Sequence, residues 1–211
     1  MSPRYPIPAH RHRVEEEIKR SRFLTTVEPV TCPAEARAFI DEMRREFPDA
    51  THNCWAYLTG PPGTSTHVGM SDDGEPHGTA GRPMLNVLSH AGVGDIAVVV
   101  TRYYGGTKLG KGGLVRAYGG GVRLALDALP LREKVSYRSA RLVLAYTHIN
   151  RLRLMMEARG ILVNQEDFAS DVSYDLSIPE EHWQAFSTEV SDLTAGDMLL
   201  EKDDALNGED S

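Results

Sequence analysis

The run "DIAVVVTRYY", residues 95–104, constrains the fold more than any other stretch of this chain. Residues 96–100 are aliphatic without interruption, and no polar alternation marks a wet face. Such a run reads as a strand covered on both sides, so apolar elements have to arrive from two directions. Two amphipathic helices are in reach. Residues 33–47 open on Pro33, place Ala36, Phe39, Ile40, Met43 and Phe47 at helical spacing, and stop at Pro48. After a glycine-rich turn, Leu114, Tyr118, Val122, Ala125, Leu126 and Leu129 keep the same period as far as Pro130. Gly119, Gly120 and Gly121 lie inside this second helix, where each costs about 1 kcal/mol relative to alanine. Their presence predicts either a neighbour that approaches the backbone closely or a break.

Residues 22–30 and 50–57 read as further strands. Alternation in the latter places Ala50, His52, Cys54 and Ala56 on one face and Thr51, Asn53, Trp55 and Tyr57 on the other. Residues 59–83 form a long loop rich in glycine and proline, and a short helix over 82–92 is expected to start at Pro83. Beyond residue 138 the rhythm changes. Strand 141–146, helix 147–160, strands 161–168 and 171–178, helix 179–196 and strand 197–202 follow the ferredoxin-like order βαββαβ. The expected fold class is therefore α+β in two domains, residues 1–137 and 138–205, with residues 206–211 as a tail.

Charge divides the chain in the same place. Residues 1–137 carry 17 Lys and Arg against 15 Asp and Glu, a net +2, whereas residues 138–211 carry 6 against 15, a net −9. Nucleic acid wrapped along the whole length is excluded by the acidic half, so an anion site belongs to the first half. Two cysteines, and an opening stretch without an apolar segment of signal-peptide type, point to a reducing cytoplasm. The longest aliphatic run has five residues, far short of the roughly 20 needed to span a bilayer. No membrane association is expected, and the oligomeric state is not encoded in any pattern.

Two stretches carry chemistry. "TRYYGGTKLGKGGLVR", residues 101–116, sets Arg102, Lys108, Lys111 and Arg116 around a turn that contains Gly105 and Gly106 and opens a helix. Unpaired N–H groups and the positive end of the helix dipole attract anions there, and phosphate is the natural guest. Tyr103 and Tyr104 stand beside the cations, where a tyrosine could stack on a base. Glycines also permit tight packing, however, and one of two adjacent strand tyrosines should face the core. The spacing is not that of a phosphate-binding P-loop.

"SDDGEPHGTAGRP", residues 71–83, brings Asp72, Asp73, Glu75, His77 and Thr79 close to His52 and Cys54. Such a set could bind zinc or move protons. Yet His-x-Cys lacks the paired spacing of structural zinc sites, and a buried cysteine usually behaves as a small hydrophobe. Aspartates in a glycine-rich turn also accept backbone N–H groups, a structural role favoured for at least one of the two. No metal or other cofactor is expected, and no residue is assigned as catalytic.

"SRF" at 21–23, "AxHxCxA" at 50–56, "SDDGEPxGTAGxP" at 71–83 and "VTRYYGGTKLGKGGLVRAY" at 100–118 together resemble the IMPACT/YigZ family, over residues 19 to about 130. The resemblance implies a first domain similar in fold to the second domain of a small-subunit ribosomal protein, a superfamily that includes small-molecule kinases. The remainder is similar to the C-terminal domain of bacterial members, which is similar to the last domain of elongation factor G. Eukaryotic relatives restrain a translation-initiation kinase by competing for its activator, so the resemblance implies a translation regulator. Its partners would be RNA, the ribosome or a translation-related protein. An enzyme acting through the 71–83 loop and a protein-interaction module are the alternatives.

Overall fold

The computed structural model describes residues 4–202; the tail at 206–211 lies outside them. The chain divides into two compact units, residues 1–134 and 135–211.

The first unit runs β1 (Arg4–Pro8), β2 (His12–Ile18), β3 (Ser21–Pro29), α1 (Pro33–Glu46), β4 (His52–Thr59), β5 (His67–Ser71), α2 (Gly81–Ser89), β6 (Ile96–Tyr103), α3 (Lys111–Asp127) and β7 (Leu131–Val135). Five strands form one sheet in the order β2-β3-β6-β4-β5, with antiparallel neighbours throughout. The continuous aliphatic run is its central strand, β6, and both faces are covered. Ile96, Val98 and Val100 pack with α2 and α3, against Met84, Leu88, Leu114, Tyr118 and Val122. Ala97 and Val99 pack with α1, against Phe39, Ile40 and Met43. His52, Cys54 and Ala56 share a face of β4, as their alternation requires, and Cys54 and Ala56 belong to the α2–α3 core. β1 and β7 pair as a separate ribbon.

Two features between residues 59 and 92 depart from the sequence reading, whereas the glycines of α3 follow the first of their two expected alternatives, a close neighbour without a break. Residues 67–71 are the edge strand β5 rather than loop, paired with β4. The helix α2 begins at Gly81, two residues before Pro83, because Asp72 supplies its first N–H groups with acceptors. Helix α3 runs unbroken through its three glycines. Only Gly121 has a close neighbour, since a Cβ there would lie 2.7 Å from Thr25 Oγ1.

The second unit contains β8 (Tyr137–Leu144), α4 (Ile149–Ala158), β9 (Leu162–Phe168), β10 (Val172–Pro179), α5 (Trp183–Thr194) and β11 (Met198–Lys202). Its sheet has the order β11-β8-β10-β9, which with the βαββαβ succession is the ferredoxin-like arrangement. Leu142, Leu144, Tyr174, Leu176 and Ile178 form the sheet side of its core, and Leu152, Met156, Phe186 and Val190 the helical side.

Candidate functional site

The 71–83 motif leaves β5 and turns back across the end of β4 into α2. Its backbone needs left-handed residues, Asp73 at φ 42° and Gly74 at φ 87°. Asp72 acts as a clasp. One carboxylate oxygen accepts the N–H groups of Ala80 and Gly81, both at 2.9 Å, and the other accepts Gly78 N–H at 2.8 Å. Burial alone would raise the Asp72 pKa, but these three donors outweigh it and hold the carboxyl below its ordinary value. Asp73 accepts Asn53 N–H at 2.7 Å and Arg44 Nη2 at 2.9 Å, tying the loop to β4 and α1. His52 Nδ1 donates to the Asp73 carbonyl at 2.8 Å, and Cys54 Sγ lies 2.9 Å from the Asp72 carbonyl. The Thr79 hydroxyl donates to the Pro76 carbonyl at 2.6 Å and closes the turn.

Glu75 faces inward and is 7% exposed. A single carboxylate oxygen accepts Arg102 Nη1 at 2.5 Å and the Tyr118 hydroxyl at 2.7 Å. The Arg102 guanidinium sits 5.4 Å from the Phe23 ring centroid and 5.5 Å from that of Tyr104, and Nη2 donates to Ser21 Oγ at 3.3 Å. The same Ser21 oxygen accepts Gly105 N–H. Burial pushes the Cys54 thiol up to about 12 and raises the neighbouring Tyr118 hydroxyl as well. Cys54 is therefore a protonated thiol at neutral pH, not a thiolate nucleophile. His52 Nε2 stands 3.9 Å from Glu75, beyond hydrogen-bond reach. Among the described residues, no group of three His, Cys, Asp or Glu side chains converges as a metal cage.

All three acids of the motif are thus engaged within the protein. At the opening of α3 the exposed charges are basic. Lys108, Lys111 and Arg116 are exposed, and none of them has an ion-pair partner among the described residues. Gly110, at φ 75°, stands at the N-cap of α3 and supplies no side-chain cap, and the first turn holds no acid. The leading N–H groups of that helix consequently lack a side-chain acceptor. Arg82 of α2 and Arg123 of α3 flank a groove of about 300 Å³ between these helices. Tyr104 is 45% exposed, whereas the half-buried Tyr103 donates its hydroxyl to Asp49 at 3.1 Å. His77 is fully exposed, 3.8 Å from Asp72.

Sequence reasoning grouped Arg102 with the lysines, but Arg102 points inward and Glu75 neutralises it. Gly105 and Gly106 form the turn beside it, and a Cβ on Gly105 would fall 1.7 Å from the Arg20 carbonyl oxygen. Three contributors were not anticipated: Tyr118, Ser21 and Arg44. Tyr118 was recognisable only as a core position of α3, although a buried tyrosine hydroxyl demands a partner. Nothing local indicates that this partner is 43 residues away.

Residues 19–126 match the Impact N-terminal domain family, and residues 142–197 match a domain of unknown function, DUF1949. The chain is 41% identical over 195 residues to IMPACT family member YigZ of Escherichia coli, covering 92% of this chain and 95% of that protein. It is 39% identical over 197 residues to an IMPACT family member of Haemophilus influenzae, covering 93% and 96%. A solved structure described as that of a hypothetical protein superposes with a TM-score of 0.71 at 38% identity, covering 97% of this chain and all of the other. By these matches, which span both units, the chain belongs to the IMPACT family.

Proposed function

We propose that the first unit binds RNA or ribosomal phosphate at the opening of α3, in a role linked to translation. The observation that carries this reading is that Lys108, Lys111 and Arg116 stand exposed and unpaired among the described residues at a helix start without a side-chain cap. Phosphate oxygens there would meet the first-turn N–H groups and the dipole as well as three cations. Arg82 and Arg123 extend the positive surface along the α2–α3 groove, and the exposed face of Tyr104 offers a base a stacking partner. Inward use of Asp72, Asp73 and Glu75 keeps their charges from opposing a polyanion. The link to translation rests on the family resemblance, and a reducing, cytoplasmic setting on the two free cysteines, Cys32 and Cys54. Among the described residues no helix is long and apolar enough to cross a membrane.

Retention of a labelled single-stranded RNA, followed by fluorescence anisotropy over a salt series, tests the reading. Each phosphate contact adds a slope of about −0.7 to log affinity against log salt for a single strand. Replacing both Lys108 and Lys111 by glutamate is expected to weaken binding severely and flatten that slope. Unchanged affinity and slope in the variant would remove the α3 opening as the site.

A further inference from the structure

The groove between α2 and α3, beside Arg82, continues into a larger cavity of about 570 Å³. Asn86, Val87 and Arg123 line both, so the two parts share a wall. Such a volume suits a ligand of nucleoside size. The apolar lining of the cavity comes from Val87, Ala91, Val93, Leu126 and Leu131. Its charged groups are few. Arg123 and Asp127 stand one turn apart on α3, both exposed, and neither has an ion-pair partner among the described residues. A guanidinium and a carboxylate at this spacing ordinarily engage each other, yet here both stay available to an occupant. Asp127 is the single acid among the side chains that line either part. His90 Nδ1 donates to the Asn86 carbonyl at 2.7 Å, which leaves Nε2 as an acceptor at the rim. On α3, Lys111, Val115, Gly119, Arg123 and Asp127 recur every four residues, about 6 Å apart along the axis. This row leads from the basic helix opening to the cavity.

We propose that this cavity binds an unpaired guanine base. Guanine presents two neighbouring acceptors, O6 and N7, and beside them two neighbouring donors, N1–H and N2–H. Arg123 donates to the acceptors, Asp127 accepts from the donors, and the ring lies against the apolar lining. Adenine would set its N6–H against the guanidinium and its N1 lone pair against the carboxylate. Cytosine and uracil each offer the carboxylate one donor flanked by an acceptor. A guanine within a duplex has its N1 and N2 donors already paired, so the base must come from a single strand or a free guanine nucleotide. In a strand, the backbone follows the α2–α3 groove past Arg82 toward Lys111, an arm that rests on the phosphate site proposed above. Binding of a free nucleotide does not depend on that site.

The test uses the full chain and two fluorescein-labelled decanucleotides, oligouridine with one central guanosine or one central adenosine, read by fluorescence anisotropy. Calorimetric titration with guanosine and adenosine 5′-monophosphates accompanies it. The guanosine strand is expected to bind about tenfold more tightly, the worth of a bidentate base contact. Asp127→Asn and Arg123→Gln, both at exposed positions, should each cancel most of that ratio without lowering the melting temperature. Glutamate at both Lys108 and Lys111 should weaken the two strands alike and keep the ratio, so the base site and the phosphate site are read separately. Saturable binding of guanosine monophosphate, with neither strand bound, would support the cavity with a free nucleotide as the source and remove the phosphate site alone. Equal affinity for both strands together with no preference between the monophosphates overturns the proposal while leaving the phosphate site standing. A guanosine preference that survives both Asp127→Asn and Arg123→Gln overturns it as well.

Discussion

The Glu75 carboxylate and the Arg102 guanidinium meet at 2.5 Å inside the first unit, 27 residues apart in sequence, with the Tyr118 hydroxyl on the same oxygen. Their contact joins the glycine-rich loop to β6 and α3. It converts what looked like an acidic motif facing a basic motif into a neutral internal junction.

Removing one member of this junction leaves an opposite charge buried. Glu75→Ala should destabilise the protein by about 3–5 kcal/mol. Tyr118→Phe, which removes a hydrogen bond to a carboxylate, should cost about 1.5–3 kcal/mol. The double variant Glu75→Leu with Arg102→Met should recover most of the first loss, since neither charge then remains unpaired. Urea unfolding midpoints measure all three. Equal stability of Glu75→Ala and wild type would contradict the junction.

Asp72 makes the loop sensitive to acid. Its folded pKa is lowered, so the stability it contributes is complete above the ordinary carboxylate value of about 4 and disappears as pH falls below that toward the folded pKa. Asp72→Asn should be less stable than wild type at pH 7 and should show a shallower loss between pH 5 and pH 3. Parallel unfolding curves at those pH values decide the matter.

The two cysteines should differ in reactivity. Cys54 is fully buried, and its thiol is pushed up to about 12 by burial, whereas Cys32 is partly exposed. A thiol reagent at pH 8 should label one cysteine quickly and the second only at the rate of unfolding. Peptide mapping should place the fast label on Cys32.

Two glycines give opposite predictions. Gly105→Ala places a methyl carbon within bonding distance of the Arg20 carbonyl and should destabilise by at least about 1–3 kcal/mol. Gly120 has open space where its Cβ would stand, in the interior of α3, so Gly120→Ala should stabilise by about 0.5–1 kcal/mol. Calorimetric melting temperatures separate the two outcomes.

Legibility followed the range of the interactions. The central strand, α1, α3 and the βαββαβ succession could be read directly, because each rests on an apolar period contained within a few turns or one strand. β2 was not read. Its stretch "HRVEEEI" alternates His12, Val14, Glu16 and Ile18 against exposed Arg13, Glu15 and Glu17, but three consecutive glutamates conceal the pattern. Pairing with β3 and cover from α3 select the strand state there. β5 escaped for a similar reason. Gly69 weakens the local preference for a strand, yet the Tyr57 ring lies over it so closely that a Cβ would come within 2.4 Å.

By itself, the sequence determined the double-sided burial of residues 96–100, the two-part organisation and the placement of acidic and basic motifs. Tertiary structure decided which charges are available. A carboxylate or guanidinium has the same formula buried or exposed. Only the fold brings Glu75 to Arg102 and Asp72 to the start of α2, while leaving Lys108, Lys111 and Arg116 in water. The reason is that burying a charge is costly unless a partner arrives with it, and such partners come from distant segments.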